Sequence, residues 1–430
     1  MAASVHRATR DAMTHLLQLL LLLAVIVMAA KLAGAAAARA GQPAVFGELL
    51  AGLILGPTAL NVLNWHTFAP IDAAPPVLYI VQDLADVGVI LLMFVAGLET
   101  DVTELRRVGH VAFWSAAGGV ALPMIGGIAV ASAFGLPVVW QGIFVGAILT
   151  ATSVSISAQT LMELRVLRSR EGSTILGAAV IDDVMGILVL SIVVAFAQSP
   201  GAVGLTAIAT ILLRIAAFFG VVWLLRSQID RVAGWGERLG VSQGLLAMVL
   251  VLVLVAAWAA EFAGGMAAIT GAYVAGVLMT RSRFKQRIDE GIHPLTYSLL
   301  VPVFFISIGL RADARLLAAH PALCAALIGV AVLGKVIGCG VPARLCGFSP
   351  RQSLRIGVGM ISRGEVGLIV AAYGLAHRLI SADVFSASVI VVLATTMMTP
   401  PLLRAAFGLP RRPAVAVEET IGHAPESAGS

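Results

Sequence analysis

The chain is predicted to be an all-α polytopic membrane protein of about thirteen transmembrane helices. Three observations carry that expectation. Hydrophobic residues make up 59% of the 430 and charged residues only 12%, with a mean hydropathy of +0.98. A soluble chain of this length needs far more charge to cover its surface. The apolar residues come in blocks of roughly 20, the length a helix needs to cross about 30 Å of hydrocarbon. Between the blocks, Lys and Arg fall in alternate segments, as they do when positive charge collects on cytoplasmic loops.

The first block, 14–35, is a Leu- and Ala-rich run behind a basic start, and its flank Ala38-Arg39-Ala40 also has the look of a signal-peptide cleavage site. Cleavage would leave Gly41 outside, where the downstream charge alternation needs it inside, so the block is taken as a retained helix. The following blocks are 43–63, 77–98, 109–134, 138–162, 172–198 and 203–225. The remainder are 242–262, 266–280, 293–310, 318–345, 353–376 and 384–407. One set of connecting segments holds Arg39; Arg106 and Arg107; Arg165, Arg168 and Arg170; Arg226, Arg231 and Arg238. It continues with Arg281, Arg283, Lys285 and Arg287; Arg344, Arg351 and Arg355; and Arg404, Arg411 and Arg412. The alternate segments hold only Arg7, Arg10, Arg311, Arg315 and Arg378. This alternation places the C-terminus in the cytoplasm and the N-terminus outside, which an odd number of spans requires.

Composition also excludes function classes. The longest polar stretch is the tail from Pro410 to Ser430, with the character of a disordered segment. A nucleotide-binding or regulatory domain and a cofactor are therefore not expected, and the energy source is an ion gradient. The net charge of +5 belongs on cytoplasmic loops and does not point to nucleic acid. Cys324, Cys339 and Cys346 lie on one apolar stretch without metal-binding spacing and read as small packing residues.

Four basic residues fall inside the blocks: Lys31, Arg214, Lys335 and Arg363. Lys31 and Arg214 can reach an interface by snorkelling. Lys335 and Arg363 sit amid Gly and aliphatic residues, where an unpaired charge costs about 2.5–3.5 kcal/mol or more. The acids that could pair with them are few. Asp182 and Asp183 lie well inside the sixth block and Glu365 inside the twelfth. Neighbours on a helix point about 100° apart, so one Asp can face a basic partner while the other faces a cavity. Three carboxylates against two cations leave one negative charge in excess, which suits one monovalent cation or the protons that replace it. A fully paired network, or one permanently protonated Asp, is the structural alternative.

The fifth block carries Thr150, Thr152, Ser153, Ser155 and Ser157, and the twelfth Gly357, Gly359, Ser362, Arg363, Gly364, Glu365 and Gly367. Hydroxyls and glycines let a helix unwind within a membrane, or let helices pack closely. The stretches 145–158 and 358–371 match at Val145/Val358, Gly146/Gly359, Ile148/Ile361, Ile156/Ile369 and Ala158/Ala371. By the loop charges the two blocks run in opposite directions. Two such interrupted helices are the signature of an inverted repeat with the substrate site at their crossing.

Four motifs in order carry a family resemblance. They are Gly47-Glu48-Leu49-Leu50-Ala51-Gly52-Leu53-Ile54-Leu55-Gly56-Pro57, the run Val87 to Glu99, the Asp182-Asp183 pair, and Arg363-Gly364-Glu365. From about Gln42 to Arg404 the chain resembles the monovalent cation:proton antiporter superfamily, and within it bacterial Na⁺/H⁺ antiporters of the NapA type. The resemblance implies an NhaA/NapA-like fold with two broken, crossing helices, and a homodimer that exchanges Na⁺ or Li⁺, with K⁺ as the alternative, for H⁺. It implies dimerisation helices in 1–98 and 242–310, core (ion-binding) helices in 109–198 and 318–408, a linker helix at 203–225 and a cytoplasmic tail at 409–430. Transport would move the core past the dimer domain like an elevator. Asp183 matches the carboxylate that binds the cation and takes the proton. Asp182 matches the one that pairs with a lysine at the position of Lys335, and both carboxylates stand as the Na⁺ site. Thr152 and Ser153 match the crossover, and Arg363 and Glu365 a supporting charged pair. The Asp-Asp-Lys set is the electrogenic pattern of the family. A gated channel is the alternative of a different class, one the potassium efflux relatives bring to mind. Glu48, Asp83, Asp86 and Glu261 lie nearer helix ends; Asp83 and Asp86 are candidates to line an outer funnel, the alternative being solvated acids at the mouth or capping contacts.

Overall fold

The computed structural model describes residues 15–68, 77–137, 141–198, 205–238, 240–311, 315, 321–376 and 378–408. Among them the regular elements are all helical. In chain order they are α1 (His15–Arg39), α2 (Ala44–Leu55), α3 (Val77–Glu99), α4 (Val102–Ala133), α5 (Ile143–Thr150), α6 (Val154–Glu163) and α7 (Arg170–Gln198). Then follow α8 (Leu205–Leu225), α9 (Ile229–Arg238), α10 (Gly244–Phe262), α11 (Ala268–Met279), α12 (Lys285–Leu295) and α13 (Val301–Leu310). The last are α14 (Pro321–Leu345), α15 (Pro350–Gly359), α16 (Glu365–Ala376) and α17 (Ala382–Phe407). Among the described residues eight helices or near-continuous helix pairs are long and apolar enough to cross a membrane, and nine if the bent α8–α9 pair counts as one. The tail 409–430 expected to be disordered and the start of the first block lie outside the described residues.

Helix ends differ from expectation where local chemistry decides them. α4 begins at Val102, about two turns before the apolar block, because Asp101 caps it: Oδ1 accepts from Thr103 N at 2.8 Å and Glu104 N at 3.1 Å. α2 is shorter than the expected 43–63 and stops at Leu55, where Gly56 turns extended and Pro57 follows. α15 starts on a capping box between Ser349 and Gln352. Between α12 and α13, Thr296–Leu300 forms a π-helical turn.

The helices pack in two sets. In the first, α1 lies on α2, α2 on α13, α13 on α3, α3 on α11 and α11 on α10. Glycines bring backbones into contact there: a side chain at Gly52 would meet Ile306 Cα at 2.9 Å, and one at Gly276 would meet Leu98 N at 2.8 Å. α1 is an integral part of this set, with Leu22, Ile26 and Ala30 buried in the main apolar cluster. In the second set, α4 is central and packs on α14, α7 and α5, while α17 lies against α14, α15 and α16. Gly118 and Gly338 approach backbone to backbone where α4 crosses α14. α8 reaches α7, then bends by 58° into α9, which packs on α10 of the first set.

Candidate cation site

The fifth and twelfth blocks are both interrupted. α5 and α6 are separated by the non-helical residues 151–153, and α15 and α16 by 360–364. The two interruptions meet. Ser153 N donates to Ser362 O at 2.9 Å, and Ser362 Oγ donates to Ser153 O at 2.7 Å. Ser157 Oγ donates to Gly359 O at 2.5 Å, and Thr396 of α17 donates to the Arg363 carbonyl. Side-chain hydroxyls and reciprocal backbone bonds thus take up groups that two broken helices leave unpaired, which is what permits irregular backbone at membrane depth.

Asp182 and Lys335 meet beside this crossing. Lys335 Nζ donates to Asp182 Oδ1 at 2.9 Å, and the two side chains are 0% and 1% exposed. Gly119 of α4 lets α14 come close beside the pair: a Cβ there would collide with Cys339 Sγ, whereas Lys335 Nζ would stand at an ordinary contact distance of 3.5 Å. The next residue, Asp183, points elsewhere, as a 100° step requires. It is only partly buried, and its Oδ2 accepts from Thr270 Oγ1 at 2.8 Å. Thr152 and Ser153 are buried in the first interruption, and Thr152 Oγ1 has no hydrogen-bond partner among the described residues.

Arg363 is 1% exposed and is held by main-chain oxygens: Ile361 O at 2.6 Å, Ala331 O at 3.2 Å and Met360 O at 3.3 Å. Its expected partner, the Glu365 side chain, lies outside the described residues. Lys31 donates to Tyr297 O at 2.7 Å, and Arg214 is exposed on α8. Asp83 and Asp86 are exposed on α3. Glu48 is not at a mouth: it is 6% exposed, within reach of the charges of Lys31 and Glu163.

Comparison with known proteins decides the family. Residues 21–405 match the family described as "Sodium/hydrogen exchanger, transmembrane". The chain belongs to the sodium/hydrogen exchanger family. The Na(+)/H(+)-K(+) antiporter GerN of Bacillus cereus is 38% identical over 388 residues, 90% of this chain and 95% of its own. A Na(+)/H(+) antiporter of Enterococcus hirae is 34% identical over 383 residues, 89% of this chain and 96% of its own. The fold is also that of the sodium proton antiporter MjNhaP1 of Methanocaldococcus jannaschii, with a TM-score of 0.66 at 16% identity over 92% of this chain and 98% of that one. The exchanger family identifies the chain as a membrane antiporter of monovalent cations and protons.

Two residues at or near this site escaped the sequence reading. Thr270 lies in an apolar helix where one hydroxyl carries no signal. Glu163, one position past the fifth block, carries no signal in the sequence, yet it accepts from Ala44 N at 2.6 Å and Val45 N at 3.2 Å, capping α2 from α6. A carboxylate at a helix N-terminus is favourable, but only the fold could bring these segments together.

Proposed function

We propose that this exchanger moves Na⁺ or Li⁺ against protons through Asp183, electrogenically and by an elevator motion of the second helix set past the first. The observation that carries the reading is the Asp182–Lys335 pair, 2.9 Å apart and out of solvent, one residue from a carboxylate that remains accessible. A buried pair is poor stabilisation compared with apolar packing, because desolvation offsets most of its attraction. Its presence at the crossing of two broken helices fits a transport role. Asp183 supplies the negative charge, and Thr152 Oγ1 offers an oxygen that no other group occupies. The arriving cation displaces the proton of Asp183 and draws Asp182 from Lys335, and the lysine gives up a second proton. Proton return restores the pair. Two proton charges then move against one sodium charge, so each cycle carries current.

The first set of helices acts as the dimerisation scaffold of a homodimer, and the loop charges put the C-terminal end on the cytoplasmic side of the cell membrane. The name of the GerN relative mentions K⁺, and this supports K⁺ as a second substrate. The test is proton flux in liposomes driven in turn by Na⁺, Li⁺ and K⁺ gradients, with the membrane potential clamped at several values. Saturable flux that reverses at a voltage-dependent gradient is expected. Flux whose equilibrium ignores voltage would refute the electrogenic cycle, and single-channel currents would refute exchange itself.

A further inference from the structure

Buried hydroxyls on these helices mostly donate back to their own helix. Thr100 bonds Ala96 O, Thr160 bonds Ile156 O, Ser388 bonds Val384 O and Thr399 bonds Thr395 O, each at 2.7–2.8 Å. Thr270 is 2% exposed and behaves differently: its proton goes to Asp183 Oδ2, on a helix of the other set, at 2.8 Å. The two helices, α11 and α7, do not pack along their lengths. The bond thus crosses between the sets where these two helices otherwise meet little, beside apolar packing such as that of Val184 on the cluster around Met266. Thr270 is itself well anchored, because its neighbour Gly271 packs so closely on α10 that a Cβ there would meet Ala260 Cβ at 2.8 Å.

At the other end of the boundary, the sets are joined by Glu163 capping α2 and by Arg168 Nε donating to Glu99 O at 2.9 Å. The neighbouring loops carry Arg39, Arg106, Arg107, Arg165 and Arg170, so this end is the cytoplasmic one. Joining of the sets at the cytoplasmic end is what an outward-facing state requires. Any displacement of α7 along α11 must break the Thr270 bond. Resting on the assignment of Asp183 as the cation carboxylate, we propose that Thr270 is a scaffold-borne positioning residue. It holds the Asp183 carboxylate for the cation in the outward-facing state and releases it when the core moves inward. Cation affinity then differs between the two membrane faces although the carboxylate is the same.

The experiment compares initial rates of Na⁺/H⁺ exchange in right-side-out and everted vesicles for the unaltered protein, Thr270→Val and Thr270→Ser. Loss of a hydrogen bond to a charged group should raise the outward-face KM for Na⁺ roughly ten-fold in Thr270→Val. The inward-face KM and kcat should stay within about two-fold, well inside the loss of one such bond, and Thr270→Ser should restore the outward value. Unchanged KM on both faces, an equal rise on both, or a rise on the inner face alone would overturn the proposal. If Thr270→Val does not reach the membrane, Thr270→Ala is read by the same criteria. Asp183→Asn run in parallel separates the two failures. Exchange surviving in that variant removes the site, whereas exchange lost there but indifferent to Thr270→Val removes only the role of Thr270.

Discussion

Lys335 and Asp182 form a bond that the sequence made almost inevitable. Few ionisable residues lie within the apolar blocks, and a lysine among glycines and aliphatics must find an acid. The structure joins them at 2.9 Å. Arg363 was legible as a buried charge but not in its solution, since three backbone carbonyls take up its guanidinium. Those carbonyls come from a break in the chain and from α14, whose positions no periodicity reveals. Thr270 was illegible for a different reason: a hydroxyl in an apolar helix usually bonds its own backbone. The proposed cycle assigns the second proton to Lys335. Lys335→Gln should therefore still exchange Na⁺ for H⁺ but carry no net current at a clamped potential. Removing one partner of a buried pair costs about 3–5 kcal/mol, so the variant should also unfold at a lower temperature in detergent. Undiminished current in Lys335→Gln would move both protons onto the carboxylates.

At the scale of elements, the hydrophobic blocks gave helix positions because a bilayer demands about 20 apolar residues whatever their order. Helix ends were read less well, since caps such as Asp101 and breaks such as Gly56-Pro57 depend on single residues. The two interruptions were legible from clustered hydroxyls and glycines. Their mutual hydrogen bonding was not, because it pairs Ser153 with a residue more than 200 positions away. The glycines around the second break are not equivalent. A Cβ on Gly364 would lie 2.7 Å from Ser153 Cβ and Oγ, whereas one on Gly367 would meet nothing nearer than Val392 Cγ2 at 3.4 Å. Overpacking of this kind costs about 1–3 kcal/mol and here would push the two breaks apart. Gly364→Ala should lower the exchange rate at least ten-fold at that cost. Gly367→Ala should remain within about two-fold, its Cβ meeting only ordinary van der Waals contacts. Equal rates for the two alanine variants, measured in liposomes at matched protein density, would show that the crossing geometry does not govern transport.

The whole molecule follows from how these elements are shared between two packed sets. Close glycine contacts fix α2, α3, α11 and α13 to one another, and α4 to α14, so each set is internally rigid. The main apolar cluster runs through both sets, and individual polar contacts also join them, among them Glu163 with the start of α2 and Thr270 with Asp183. Membrane class and approximate helix positions were legible because hydropathy and loop charge are sums over many residues. A division into core and dimerisation helices was not legible from those sums, and was expected only from the resemblance carried by four short motifs. The central claim is that exchange runs through the carboxylate of Asp183. It is tested most directly by measuring Na⁺-driven proton flux in liposomes for the unaltered protein and for Asp183→Asn, each confirmed as folded by its thermal transition. The neutral amide can neither release a proton nor balance a cation, so flux in Asp183→Asn should fall to that of empty liposomes. Flux near that of the unaltered protein would contradict the account.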